Sequence, residues 1–437
     1  MKDVKVGLLG FGTIGTGVVK IFQDNAQLIA QRLGVRLELT SIVDLDVTKD
    51  RGVTLDAGIL TDDVNSVLTN PDIDVIIELI GGYEPARTFV IKALENGKHV
   101  VTANKALMAV HGEELLQIAA KNGVSILFEA AVGGGIPILS AIRENLCANE
   151  FSAVTGILNG TCNYILTRMT EEDDDFADVL ADAQQLGYAE ADPTFDVEGI
   201  DTAHKLSILI SMCFGTWIDF NKIYTEGITK ITSLDIQYAR QFGYQIKLLA
   251  IGRKVDGMIE ARVHPTMIPD SVPLSEVKGV LNAVCLQGDF VGAVMLNGSG
   301  AGMDATASAV MGDVISLSRA IISGSQMMTP SLGYHTENII TLPVRNMKDV
   351  CSHCYYIRFM VEDCPGVIAQ ISTVLGECNI SIRSMVQPER QFDGCVPIVM
   401  TTHGAQESNV CKALDKIDTF DTVKEQSLFI RIENNLS

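Results

Sequence analysis

A glycine motif near the start of the chain has the spacing of a dinucleotide-binding turn. It follows a short apolar run and reads Gly10-Phe11-Gly12-Thr13-Ile14-Gly15. In a G-x-G-x-x-G motif the first glycine allows a tight turn, the second lets the backbone approach a pyrophosphate, and the third lets a helix pack closely on a strand. The phosphates then lie at the helix N-terminus, where N–H groups and the helix dipole attract anions. The motif therefore predicts a nucleotide cofactor.

Asp44 is the predicted contact of the adenosine ribose. It ends the second apolar strand of the sequence, where a carboxylate can bond the ribose 2′-hydroxyl. The next residue is Leu45 rather than an arginine, which favours NAD over NADP. Lys49 and Arg51 lie close enough in sequence to leave NADP open, and a carboxylate that only faces water is the alternative.

Two lysines occur where proton transfer is plausible. Lys105 follows a predicted strand at its carboxyl end, the edge where open parallel sheets bind ligands, although a solvated surface lysine is the alternative. Lys205 lies four residues after Asp201, so the two share one helix face, either as a structural ion pair or as an ammonium poised for proton transfer. The segment before Lys205 is the densest polar cluster of the chain. Its carboxylates are Glu190, Asp192, Asp196, Glu198 and Asp201.

Two segments have features of cation sites. Glu129 opens a glycine-rich bend after a predicted strand, and exposed carbonyls beside a carboxylate can bind a hard cation, with a domain-crossing turn as the alternative. Cys351-Ser-His-Cys354 resembles half of a zinc site, but no second pair lies at ligand spacing in the sequence. A linker or the start of a strand is the preferred interpretation of the second segment.

The elements that would position these residues alternate between strand and helix through about residue 135. Strands are predicted at 5–10, 36–44, 74–79, 99–103 and 125–131, and helices at 14–33, 85–96 and 105–121. This alternation predicts a doubly wound parallel sheet, so that residues 1–135 form an NAD(P)-binding Rossmann domain, completed by a helix at about 302–322.

The remaining chain predicts two further domains of α+β type. Residues 136–323 mix strands and helices, with a hairpin at 245–268 that turns at Asp256-Gly257 and apolar strands at 278–297. Residues 324–350 are polar with prolines and predict a linker. Residues 351–437 follow the order strand, helix, strand, strand, helix, strand, which is ferredoxin-like.

Composition excludes several classes of partner. The chain has 437 residues, enough for two to four domains, and a net charge of −21 that argues against binding nucleic acid or anionic membranes. It has no run of eighteen apolar residues, so no membrane span is expected. Ten cysteines without a signal-peptide layout indicate reduced thiols in the cytoplasm.

Taken together, these stretches closely resemble the monofunctional homoserine dehydrogenases. The matching segments run from residue 6 to about residue 316 in the family's order: GLLGFGTIGTGVVKI, VVTANKALMA, EAAVGGGIPIL, GILNGTCNYIL, GYAEADPTFDVEGIDTAHKLSIL and GSGAGMDATASAVMGDVI. The tail, with VEDCPGV at residues 361–367, resembles an ACT domain. Two positions depart from the pattern: Val43 replaces a basic residue that contacts NADP in many relatives, and Cys162 replaces a threonine.

The resemblance implies a reaction and a set of roles. The reaction is the reversible NAD(P)-dependent reduction of L-aspartate 4-semialdehyde to L-homoserine, in threonine, methionine and isoleucine biosynthesis. Lys205 would be the proton donor and acceptor at the substrate oxygen, and Lys105 would orient the substrate beside the nicotinamide. Glu190 and Asp201 would hold the substrate ammonium, and Gly302 would close over the cofactor.

The resemblance also implies ligands and assembly. Glu129, with the carbonyls of Val132, Gly134 and Ile136, would bind a structural sodium ion. The strands at 278–297 would form a homodimer, or a homotetramer built from dimers.

Regulation is the last expectation that the resemblance supports. Threonine is the expected effector of the ACT domain, at Asp363 and Gly366, with a domain that only cements the oligomer as the alternative. Truncation before residue 350 is accordingly expected to leave an active enzyme that ignores threonine.

Two other functions are weighed against this one. An acylating semialdehyde dehydrogenase would need a nucleophilic cysteine, for which Cys147 and Cys162 are the candidates. A non-catalytic regulator that senses nicotinamide and amino acids would not need both Lys105 and Lys205, so their presence favours an enzyme.

Overall fold

The computed structural model describes residues 3–324, 329–347, 352–387 and 395–435, and the chain divides into two units. The first unit contains Met1–Val154, Ala203–Lys222 and Leu281–Leu342, and the second contains Thr155–Thr202, Ile223–Val280 and Pro343–Ser437. The boundaries of these two units differ from the domain boundaries predicted from the sequence. The predicted domain boundaries remain predictions. Cys351 of the half zinc motif lies outside the described residues.

The first unit contains a six-stranded parallel sheet. In chain order its strands are β1 (Val4–Leu9), β2 (Leu37–Val43), β3 (Leu60–Thr61), β4 (Val75–Glu78), β5 (His99–Thr102) and β6 (Ile126–Leu127). Their order in the sheet is β3-β2-β1-β4-β5-β6, so the connection reverses direction between β1 and β4. That reversal is where doubly wound sheets bind ligands, and the Rossmann prediction is confirmed.

Helices flank this sheet, and a strand hairpin also belongs to the first unit. The helices are α1 (Thr13–Asp24), α2 (Ala26–Leu33), α3 (Val64–Leu68), α4 (Ala86–Glu95), α5 (Lys105–Lys121), α6 (Ile138–Ser140) and, later in the chain, α12 (Met303–Ser323); the hairpin strands are β11 (Leu281–Gly288) and β12 (Gly292–Ser299). The apolar face of α12 packs into the same core as β1 and α1. Among the described residues, α12 is the one helix long and apolar enough to cross a membrane, and its partly buried position is that of a core helix.

Two sequence-predicted elements of this unit were wrong in extent. The helix expected at 14–33 is two helices, because the backbone leaves the helical conformation at Asn25. The strand expected at 125–131 ends at Leu127 and continues as a 3-10 turn, Glu129–Ala131. The chain leaves the sheet there because the Glu129 N–H donates to the Asp313 carboxylate of α12, at 2.7 Å, instead of to a neighbouring strand.

The second unit is built on a mixed sheet. Its strands are β8 (Tyr224–Thr225), β9 (Tyr244–Val255), β10 (Met258–Pro269), β13 (Ser352–Glu362), β14 (Ile382–Val386), β15 (Cys395–Thr402), β16 (Ala405–Gln406) and β17 (Leu428–Ile432); its helices are α7 (Gly160–Glu172), α8 (Phe176–Gln185), α9 (Thr194–Val197), α11 (Ser233–Gln241), α13 (Val367–Glu377) and α14 (Glu407–Ile417). Strand β7 (Phe151–Ile157) and helix α10 (Ile200–Phe214) each run from one unit into the other. The β9–β10 hairpin turns at Asp256 and Gly257, both with positive φ, as the Asp-Gly pair predicts.

The C-terminal part of the second unit has the predicted ferredoxin-like order. Strands β17, β13, β15 and β14 lie side by side, all antiparallel, around a core shared with α13 and α14. We refer to residues 352–435 as the ferredoxin-like unit. Strand β17 also pairs in parallel with β10, so this unit extends the β9–β10 sheet.

Candidate active site

The glycine turn after β1 has the geometry that a pyrophosphate requires. Gly10 has a φ of +96°, and a Cβ there would lie 2.6 Å from the Leu79 carbonyl oxygen. A Cβ on Gly15 would lie 2.3 Å from the Gly10 carbonyl oxygen, whereas a Cβ on Gly12 would have no described atom within 4 Å. Packing thus requires glycine at positions 10 and 15, whereas Gly12 leaves space for a ligand. Thr13 and Ile14 open α1, whose first N–H groups have no acceptor within the helix.

Asp44 lies beside this turn and is paired with an arginine. Its carboxylate accepts the N–H of Phe11 at 2.7 Å and lies 2.9 Å from Nη2 of Arg51. The Arg51 guanidinium in turn lies over the Phe11 ring, 4.7 Å from its centroid. The Asp44 carboxylate therefore has protein partners, and a cation compensates its charge at the position where the ribose is expected.

A buried polar network orders the start of α5, where Lys105 is the first residue. The buried Glu78 carboxylate, at the end of β4, accepts the Thr102 hydroxyl at 2.6 Å. Thr102 accepts the N–H of Asn104, and the Asn104 side chain caps α5 by accepting the N–H of Leu107 at 3.1 Å. Sequence reasoning missed Glu78 and Asn104, although a carboxylate ending the apolar run DVIIEL was an available signal.

Asn159 joins two carboxylates of the polar cluster. Its side-chain oxygen caps α7 by accepting the N–H of Cys162 at 2.8 Å. Its Nδ2 donates to Asp196 at 2.7 Å and to Asp201 at 2.9 Å. The structure therefore brings Asp196 and Asp201 to one amide group. Sequence reasoning missed Asn159, although asparagine at the residue before a helix is a typical N-cap.

Helix α10 buries the predicted acid–base pair. Asp201 is 2% exposed and Lys205 is 8% exposed, one helical turn apart. Ionised groups are rarely buried unless other polar groups compensate them, so this placement is costly for the fold and is typical of a functional site. Glu190, by contrast, is exposed in the loop after α8, where its backbone carbonyl accepts the Gln184 amide.

The bend at Glu129 buries a carboxylate among backbone groups. The Glu129 carboxylate accepts the N–H groups of Leu139 and Ser140, at 2.8 and 2.6 Å, and burial raises its pKa. Burial, with the Glu129 charge nearby, also raises the pKa of Asp313 to about 7. Gly134 has positive φ, and a Cβ there would lie 2.5 Å from the Gly300 carbonyl oxygen. A tight turn with one carboxylate and several carbonyls supplies the hard oxygen ligands that suit an alkali cation.

One of the three predicted carbonyl ligands already accepts a hydrogen bond. The Ile136 carbonyl accepts the N–H of Ile138 at 2.8 Å, which uses one of its two lone pairs. Val132 and Gly134 flank the same bend. Gly302 lies at the N-cap of α12 with a φ of +114°, and a Cβ there would meet no described atom within 4 Å.

The ferredoxin-like unit has a cleft at the predicted effector residues. Its volume is about 310 Å³, and residues 361–368 with Gln387 and Ile398 line it. Asp363 and Gly366 are both exposed in this cleft, and Gly366 is the N-cap of α13 with a φ of +96°. The cleft therefore combines a helix N-terminus with a carboxylate.

The described cysteines Cys147 and Cys162, and the histidine of the half zinc motif, have partners within the protein. Cys162 is fully buried and its thiol donates to the Asp196 carbonyl at 3.2 Å, while the exposed Cys147 donates to the Glu144 carbonyl. His353, between the two cysteines of the half motif, lies 3.3 Å from Glu433. Within the described ranges, no group of three or more His, Cys, Asp and Glu side chains is arranged to hold a metal ion.

Comparison with known proteins gives one consistent family. The family model "Homoserine dehydrogenase, NAD binding domain" matches residues 10–129, and the model "Homoserine dehydrogenase" matches residues 137–315. The chain is 46% identical over 436 residues to a homoserine dehydrogenase from Pseudomonas aeruginosa, covering 99% of both chains. A homoserine dehydrogenase structure from Thiobacillus denitrificans is 44% identical, with a TM-score of 0.93 and 99% coverage of both chains. A hyperthermophilic archaeal homoserine dehydrogenase in complex with NADPH is 28% identical, with a TM-score of 0.63, over 72% of this chain and 98% of that one.

Proposed function

The chain belongs to the homoserine dehydrogenase family, and from this premise we propose how its residues carry out the reaction. The enzyme is an NAD(P)-dependent oxidoreductase that interconverts L-homoserine and L-aspartate 4-semialdehyde. The observation that supports our assignment of roles is the burial of Lys205 one turn after Asp201 on α10. We propose that this reaction serves threonine, methionine and isoleucine biosynthesis in the cytoplasm.

Lys205 is the acid–base residue of this proposal. When bound, the nicotinamide accepts or supplies the hydride. Lys205 donates a proton to the carbonyl oxygen during reduction and accepts it from the hydroxyl during oxidation, and its charge stabilises the developing alkoxide. Asp201 and Glu190 bind the substrate ammonium, and Asp201 also orders the lysine. Lys105, fixed by the capped start of α5, orients the substrate and contacts the cofactor.

A structural sodium ion is the proposed occupant of the bend at Glu129. The Glu129 carboxylate and the carbonyls of Val132, Gly134 and Ile136 would hold it, and Gly302 would close over the nucleotide. A monovalent cation there would offset the burial of Glu129 beside Asp313, which otherwise raises the pKa of both groups.

The cofactor proposal is NAD, with Asp44 at the ribose 2′-hydroxyl and NADP accepted less well. Arg51 supports use of NADP, because a guanidinium can hold a 2′-phosphate and here compensates Asp44. Steady-state homoserine oxidation with each cofactor is expected to give the higher kcat/KM with NAD. Arg51→Ala should lower kcat/KM for NADP by about tenfold, the loss of one charge-assisted hydrogen bond, and change it less for NAD. A wild-type preference for NADP above tenfold would contradict the NAD proposal.

The ferredoxin-like unit is proposed to be an ACT domain that binds threonine in its cleft. The α-carboxylate would lie at the N-terminus of α13, and the ammonium near Asp363. Threonine is expected to change the homoserine oxidation rate or raise the melting temperature, and Gly366→Ala should abolish the response. Gly376→Ala, on the same helix but away from the cleft, is the matched control. If no common amino acid changes either quantity in the wild-type protein, the ferredoxin-like unit serves only to stabilise the oligomer.

Assembly is proposed to be a homodimer, or a homotetramer of dimers, through the strands at 278–297. The β11–β12 hairpin leaves Phe290 89% exposed, beside the partly exposed Val291. Light scattering at micromolar concentration is expected to give a dimer or tetramer, which Phe290→Ser should shift toward smaller species. Leu45→Ser, at a residue 98% exposed but outside the hairpin, is the control. A wild-type monomer would refute this proposal.

A further inference from the structure

One arginine of the ferredoxin-like unit is buried against a segment outside that unit. Arg431 of β17 is 1% exposed, and its guanidinium donates to both carboxylate oxygens of Glu407 on α14, at 2.7 and 2.8 Å. It also donates to Glu226 at 2.9 Å and to the Tyr224 hydroxyl at 2.9 Å. The Tyr224 hydroxyl donates to Glu226 at 3.0 Å. Arg431 thus joins α14 to residues 224–229, which we call the β8 segment, through charged groups that are mostly shielded from water.

The β8 segment is in turn held firmly to the end of α9. The residue after Glu226 is Gly227, where a Cβ would lie 2.3 Å from the Val197 carbonyl oxygen. The next residue, Ile228, donates its N–H to that same carbonyl at 2.9 Å. The Thr229 hydroxyl donates to Glu198 at 3.1 Å. Backbone packed this closely has no free space, so a displacement at Glu226 moves Val197 as well.

Val197 directly follows a carboxylate of the polar cluster. Asp196 accepts from Asn159, and the same amide group donates to Asp201. A continuous series of contacts therefore leads from α14 of the ferredoxin-like unit through Arg431 and Glu226 to Asp201. Every step of this series lies within the second unit.

We propose that Glu226 and Arg431 are positioning residues that couple the ferredoxin-like unit to Asp196–Asp201, the segment that binds substrate. This inference rests on the proposed function, in which Asp201 contacts the substrate ammonium. The coupling acts on affinity for homoserine and not on the nicotinamide cofactor, because the series of contacts ends at the carboxylates. Binding in the cleft next to α13 changes the packing of the unit's core, which α13 shares with α14, and the Arg431–Glu226 pair carries that change to the segment.

Glu226→Gln in the full-length enzyme tests the coupling. The substitution keeps the size of the side chain and its contact with Tyr224 but removes the charge that pairs with Arg431. The KM for homoserine is expected to rise at least about fivefold, the lower end of typical coupling, with kcat and the cofactor KM nearly unchanged. Threonine should still bind, as measured by calorimetry, but should no longer change the homoserine KM. Gly227→Ala is expected to give the same pattern, because its Cβ must displace the Val197 carbonyl.

Glu260→Gln is the matched control. Glu260 of β10 pairs with Arg345 at 3.2 Å and its side chain is 11% exposed, against 26% for Glu226, but its described partner does not lie in the series of contacts. An unchanged homoserine KM in Glu226→Gln and Gly227→Ala would overturn the proposal, as would an equal rise in Glu260→Gln. A wild-type enzyme that does not oxidise homoserine would refute the proposed function itself. If the wild type turns over but does not bind threonine, the effector proposal fails, and the homoserine KM of the variants still decides the coupling.

Discussion

Lys205→Ala is expected to lower kcat for homoserine oxidation by about a hundredfold or more, the usual size of a general acid–base effect. The proton on the substrate hydroxyl would then have to leave without a positioned base, and the alkoxide would lose a neighbouring charge. Cofactor binding, measured by nicotinamide fluorescence, should stay within about twofold, since Lys205 is not assigned to the nucleotide. Lys205→Arg should be nearly as inactive, because a guanidinium keeps the charge but does not release its proton.

Lys247→Met is the matched control for this prediction. Lys247 is also buried, and burial lowers its pKa to about 8, but it donates to Asn163 and to the Val277 carbonyl in the second unit. Its substitution should alter the melting temperature and leave kcat nearly unchanged. A Lys205→Ala enzyme with near-normal turnover would refute the role of Lys205 and the mechanism built on it.

A chain that ends at residue 347 is expected to be too unstable to act as the threonine-insensitive enzyme that the sequence predicted. Truncation removes β17 from β10 and leaves Arg262, which is 1% exposed, without Glu433. It also leaves the buried Asp235 without the Arg358 guanidinium, which it contacts at 2.7 Å. Breaking a buried ion pair costs about 3–5 kcal/mol, and whole domains are stable by only about 5–15 kcal/mol. Soluble yield and thermal denaturation, compared with the full-length chain, measure this effect.

Asp363→Ala separates loss of the effector from loss of the fold. This change removes an exposed carboxylate in the cleft and keeps every strand and buried ion pair, so the enzyme should stay stable and active while its threonine response weakens. A truncated protein with the melting temperature and turnover of the full-length chain would show that the ferredoxin-like unit is dispensable. The earlier expectation would then be correct.

The sequence by itself determined several of the elements and their order. Features that depend on neighbouring residues could be predicted from the sequence. They are the glycine motif, the apolar runs of β1 and β4, the Asp256-Gly257 turn and the βαββαβ order of residues 352–435. Local periodicity and turn chemistry act over a few residues, so they can be recognised in the sequence without knowledge of the fold. The pair Asp201 and Lys205 was predicted for the same reason, since a helix puts residues four apart on one face.

Only the tertiary structure decided which distant groups meet. Arg51 reaches Asp44, Asn159 joins Asp196 to Asp201, and Arg431 reaches Glu226 across most of the second unit's sequence. Strand β17 pairs with β10, a contact that no pattern in the sequence indicated. None of these contacts joins residues at a sequence spacing that a helix, strand or turn pattern predicts. They depend on how helices and strands pack, and packing is set by the whole chain at once.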